Sequence, residues 1–120
     1  MNITVNEQLQ LFPLATEEKW ISGAGHEIRV GKYRFSAVPV STGIIVSELN
    51  TGHRVHKFTL TPDVVMYDKA ELMDHFMELG KDIKKIIDSV DSVDFEKMLQ
   101  DAQKRNEKLG PMPGIEDVYL

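Results

Sequence analysis

The sequence predicts an α+β fold: an antiparallel β-meander of three to five strands packed against one long amphipathic helix, followed by a second helix. Three observations predict it. Between Glu27 and Leu60, short β-favouring runs alternate with turn residues. Each link between the runs is two or three residues long and contains a glycine, so consecutive runs pair as hairpins. Beyond Pro62 the apolar spacing lengthens to steps of three and four, which places the apolar residues on one stripe of a helix.

The runs are Glu27 to Val30, Tyr33 to Val40, Ile44 to Leu49 and His53 to Leu60, separated by Gly31-Lys32, Ser41-Thr42-Gly43 and Asn50-Thr51-Gly52. Strand alternation puts Tyr33, Phe35 and Ala37 on one face, and Val55 with its alternate neighbours supplies a partner surface. Trp20-Ile21 adds a strand before Gly23-Ala24-Gly25-His26, which reads as a turn because it lacks the full dinucleotide or Walker phosphate-loop pattern. Asp68 stands three residues before Glu71, in capping-box spacing. From there Leu72, Phe76, Leu79, Ile83, Ile86, Ile87 and Val90 form the stripe of a long helix. Gly80 costs that helix about 1 kcal/mol relative to alanine, so a break or kink is expected there. Asp91 or Ser92 caps a second helix carrying Phe95, Met98, Leu99 and Ala102, which ends at Gly110-Pro111.

A chain of 120 residues with 42% hydrophobic content supports one domain. The pattern divides it into an N-terminal segment 1–15, an α+β domain 16–110 and an irregular tail 111–120. Fourteen Lys and Arg against 19 Asp and Glu give a formal charge of −5, which argues against a general polyphosphate-binding surface. The absence of cysteine excludes disulfides, thiolate metal sites and cysteine nucleophiles. No apolar run reaches membrane-spanning length and Met1 to Leu14 lacks signal-peptide character, so a cytoplasmic protein without a membrane partner is expected.

The most specific local signal is Gln8-Leu9-Gln10-Leu11-Phe12. It resembles the pentapeptide, usually Gln-Leu-x-Leu-Phe, by which bacterial proteins dock on the DNA polymerase III β sliding clamp. Four defining positions match, a coincidence expected on the order of once in several hundred chains of this length. Gln10, where the family often has Ser or Asp, occupies the permissive position. The resemblance implies that Gln8 hydrogen-bonds at the mouth of the clamp groove, that Leu11 and Phe12 fill its apolar subsites, and that Leu9 packs between. Pro13 keeps helix from running back through the motif. The same residues also fit an edge strand: with Ile3 and Val5 they alternate polar and apolar, and Phe12 is then a core residue.

Other patterns carry bland readings. His53 and His56 lie an odd number of positions apart in a strand and face opposite sides, so they form no metal pair. Asp88, Asp91 and Asp94 lack the calcium-loop glycine and terminal glutamate and suit a helix junction. Arg29, Lys32, Arg34, Arg54 and Lys57 make the meander locally basic. A nucleic-acid face there is disfavoured because Tyr33 and Phe35 serve the core better than base stacking. No catalytic constellation stands out. The expectation is therefore a non-enzymatic protein without cofactor or metal that engages the sliding clamp through Gln8, Leu9, Leu11 and Phe12, as an accessory or competitor in replication, of a type suited to a phage or mobile element. The alternative is a protein-interaction or oligomerisation module whose N-terminal segment belongs to its own core, with Met73, Met77 or a sheet edge meeting a partner.

Overall fold

The computed structural model describes residues 2–59 and 68–119. The fold is α+β: an antiparallel sheet and two helices. The strands are β1 (Ile3–Val5), β2 (Gln10–Ala15), β3 (Trp20–Val30), β4 (Tyr33–Val40), β5 (Gly43–Glu48), β6 (Arg54–Thr59) and β7 (Glu116–Asp117). The helices are α1 (Lys69–Ser89) and α2 (Ser92–Asn106), the latter continued by a 3₁₀ turn over Glu107–Leu109. Strand order is β6-β5-β4-β3-β2-β7, with β1 pairing β3 off this path. The three hairpins from β3 to β6 arise where the sequence places them. The strand total exceeds the expected three to five because β1, β2 and β7 come from segments outside the meander. Leu60 and Pro62 lie outside the described residues.

β3 organises the sheet. Its first half, Trp20 to Gly25, pairs with β2, while His26 to Val30 pairs with β4 and Ile28 to Val30 also with β1. Gly23-Ala24-Gly25 is therefore not the turn its composition suggests but the middle of an 11-residue strand. The glycines serve close approach. A Cβ on Gly25 would fall inside the envelope of the Ala37 carbonyl oxygen, and one on Gly23 would lie 2.8 Å from Val38 Cγ1 and 2.9 Å from Leu14 Cδ1. With no side chain in the way, the β2–β3 ribbon lies directly against β4.

Two cores follow from strand alternation. On one face Ile28, Val30, Tyr33, Phe35, Ala37, Ile44 and Val46 meet Phe76, Leu79, Ile83 and Ile87 of α1 and Phe95 of α2. The opposite parity of β4 supplies Val38, which packs with Phe12, Leu14 and Leu49 in a smaller cluster edged by Val40 and Ile115.

The helix ends match their sequence signals. Asp68 Oδ1 accepts from Glu71 N at 2.8 Å, Asp91 Oδ1 accepts from Val93 N at 2.8 Å, and Gly110 closes the 3₁₀ turn at φ 80°. Asp88 meets Lys84 at 2.6 Å, so the acidic repeat divides between capping and pairing. Tyr33 fixes α2 to the β3–β4 hairpin: its ring meets Phe95 edge-on at 4.8 Å and its hydroxyl donates to Glu96 at 2.7 Å, beside a Lys32–Glu96 ion pair at 3.0 Å.

Gly80 does not interrupt α1. It leaves room for β1, since a Cβ there would lie 2.5 Å from Ile3 Cγ2 and 3.2 Å from Ile28 Cγ2. Gly80→Ala should thus forfeit the usual helical gain of about 1 kcal/mol and lower stability by about 1–3 kcal/mol through overpacking. In urea denaturation, Ile3→Ala combined with Gly80→Ala is expected to lose less than the two single losses together. Additive losses would contradict the contact.

Candidate functional site

The pentapeptide enters the sheet at Gln10. Gln10, Leu11 and Phe12 pair with Gly25, Ala24 and Gly23 of β3, and Gln10 and Leu11 also with Asp117 and Glu116 of β7. Gln8 Nε2 donates to Val118 O at 2.9 Å and to Leu9 O at 3.0 Å, and Val118 N donates to Leu9 O at 2.8 Å. Gln10 Nε2 donates to Asp117 Oδ1 at 2.8 Å, while its Oε1 is buried without a partner. Phe12 is 1% exposed, and Leu9 and Leu11 are half-buried. Because side chains alternate along a strand, Leu11 and Phe12 point to opposite faces, so the four motif side chains share no common outer surface. Pro13 is accommodated at the strand's outer edge. Ala15, two residues on, donates its N–H outward to Gly52 O at 3.0 Å, and the donor that Pro13 lacks would point the same way.

A second group of polar residues converges at the end of the sheet. The link from β5 to β6 is tied by Glu48, a carboxylate only 3% exposed. It accepts from Asn50 N at 3.1 Å, from Thr51 N at 2.7 Å and from Thr51 Oγ1 at 2.7 Å. Gly52, at φ 67°, closes this turn. The β2–β3 turn is held by Thr16, whose Oγ1 donates to Lys19 O at 2.7 Å and accepts from Lys19 N at 3.1 Å. The end of α2 joins through Asn106, whose Nδ2 donates to Thr51 O at 2.7 Å. Trp20 Nε1 donates to Gly110 O at 3.2 Å. Between these three segments lies a cleft of about 680 Å³ lined by Ala15, Thr16, Glu17, His53, Arg54, Arg105, Asn106 and Lys108.

The basic meander is largely neutralised elsewhere. Arg34 grips Glu27 with two hydrogen bonds of 2.7 and 2.9 Å, and Arg29 approaches the same carboxylate at 3.6 Å. The Arg34 hydrogen bonds, with the charges of Arg34 and Arg29, hold the Glu27 carboxyl below its ordinary value despite burial. Lys32 pairs with Glu96, and Lys57 donates to Thr42 Oγ1 at 2.5 Å. Arg54 is left without an ion pair among the described residues and joins Arg105 and Lys108 at the cleft. Burial, with the Arg105 charge beside it, holds the His53 imidazole below its ordinary value against the opposing pull of Glu48.

Neither the cleft nor Glu48 was legible as a site in the sequence, since Thr16, His53 and Arg105 are far apart in the chain and Arg105 reads simply as a cation at a helix C-terminus. His56 stacks edge-on with Phe58 and is exposed. No group of three or more potential metal ligands occurs among the described residues. None of their helices is long and apolar enough to cross a membrane. No protein-family model matches the chain, and no curated protein or solved structure gives a significant match.

The His53 environment gives a signed pH dependence. The fold favours neutral imidazole, so stability is fully present above the unfolded value near 6.5 and is lost as pH falls below it through the folded pKa. Urea midpoints should fall between pH 7 and 5, and His53→Gln should flatten part of that fall. The Glu27 contribution is lost separately, as pH falls below the ordinary carboxyl value of 4.5. Glu48→Ala, which strands the buried Thr51 N and Oγ1 donors and the part-buried Asn50 N, should cost about 1–3 kcal/mol or more by the same assay.

Proposed function

We propose that this chain is a non-catalytic protein-interaction module that keeps residues 10–12 of the pentapeptide in its own sheet. The observation that carries the reading is the burial of Phe12 against Leu14, Val38 and Leu49. Partner contacts then fall to other surfaces. Met77, half-buried on α1, lines an acidic concavity with Glu71, Asp74 and Glu78, and β6 ends the strand order among the described residues.

Docking on the bacterial sliding clamp through Gln8, Leu9, Leu11 and Phe12 is the second reading, favoured by the four matched positions. It requires β2 to leave β3. A free pentapeptide of this kind binds in the micromolar range, near −8 kcal/mol. Extracting Phe12 and Leu14 alone costs roughly 3–6 kcal/mol, which weakens that affinity by about 10² to 10⁴.

A cross-strand disulfide separates the readings without touching the motif. Pro13 and Ser22 are register partners, and the chain has no other cysteine to interfere. Pro13→Cys with Ser22→Cys should oxidise and stay folded. Binding to a bacterial sliding clamp that appears on reduction, disappears on oxidation and is lost in Gln8→Ala would overturn the module reading in favour of docking by a released β2. No clamp binding in either redox state, or binding indifferent to oxidation, is the outcome expected. Deleting residues 1–15 should also abolish cooperative unfolding, because it removes one wall of the second core.

A further inference from the structure

The cleft at the sheet end concentrates positive charge in an acidic protein. Arg54, Arg105 and Lys108 face one carboxylate, Glu17, in a chain of formal charge −5. None of the three has a side-chain hydrogen bond or ion pair among the described residues, as is also true of Lys19, Lys97 and Lys104, but only here do three such cations from β6 and the end of α2 line one cleft. Helix-dipole compensation accounts for Arg105 in the last turn of α2 but not for Arg54 on β6, which comes to the same space from another element. The frame is held before any ligand arrives by the Asn106 bond to Thr51, the Ala15 bond to Gly52 and the Thr16 turn. Its volume of about 680 Å³ suits a small molecule. The negative field of the whole chain disfavours a long polyanion.

We infer that this cleft binds a phosphorylated small molecule, with Arg54, Arg105 and Lys108 receiving the phosphate. Guanidinium groups match phosphate oxygens bidentately, and Lys108 adds a point charge. Thr16 and Asn106 are already engaged with backbone carbonyls, so they serve as frame. The inference does not depend on whether residues 8–12 dock elsewhere.

The test is amide chemical-shift titration of the full chain with inorganic phosphate and with ribose 5-phosphate, at constant ionic strength, with sodium chloride and ribose as controls. Saturable shifts are expected at Glu17, Arg54, Arg105, Asn106 and Lys108 with both phosphates. Arg54→Gln with Arg105→Gln should weaken binding at least tenfold at unchanged melting temperature, while Lys97→Gln on the outer side of α2 should not. Glu17→Gln, which removes the opposing charge, should tighten it. Shifts that fail to saturate, that sodium chloride reproduces, or that the double variant retains would overturn the proposal. Tighter binding of a glutamate-rich peptide or a single-stranded oligonucleotide to the same residues would overturn the small-molecule class.

Discussion

The contact on which the rest of this molecule depends is the close approach of β3 to β4 at Gly23 and Gly25. Backbone lies where a side chain would otherwise separate two strands, with the Ala37 carbonyl filling the space of a Gly25 Cβ. That approach lets one 11-residue strand belong to two pairings, with β2 along its first half and with β4 and β1 along its second. The second core exists because of it: Phe12 and Leu14 arrive on β2 and meet Val38 on the β4 face away from α1. Gly80 plays a smaller version of the same part, giving β1 a place against α1.

The charged residues follow a division set by this framework. Several on the faces and helices find partners nearby, as Arg34 does in Glu27 and Lys32 in Glu96. The exposed Lys32–Glu96 pair contributes little to stability, whereas the Arg34–Glu27 pair is bidentate and part-buried. The buried Glu48 carboxylate differs, because it replaces water with three donors from its own turn and thereby shapes the ledge on which His53 and Arg54 stand. Three cations without an ion pair among the described residues, Arg54, Arg105 and Lys108, line the cleft where the end of β2, the start of β6 and the end of α2 converge.

Residues 8–12 illustrate how one pattern serves two physical ends. A docking peptide and a strand both need apolar residues at close spacing, and Gln-Leu-Gln-Leu-Phe satisfies either. What separates them is exposure, a property of the surroundings. The surroundings here are β3 on one side and the short β7 with Val118 on the other. β7 comes from a tail whose glycines and prolines suggest no strand at all, and two residues of ladder are too few to leave a periodic signal.

Local chemistry was enough for the α+β class, the three hairpins, the caps at Asp68 and Asp91 and the inward stripe of α1 from Phe76 to Ile87, because turns, caps and amphipathic periods are written over a few neighbouring residues. It was not enough for Val90, which is exposed just past the helix end. The reach of β3 through its glycines, the unbroken α1 at Gly80, the burial of Phe12 and the cationic cleft were settled only by folding. Each depends on atoms from segments far apart in the chain: Gly25 on Ala37, Gly80 on Ile3, Phe12 on Val38 and Leu49, Arg54 on Arg105. A glycine reads the same whether it bends a turn or admits a neighbour's backbone, and only the neighbour decides.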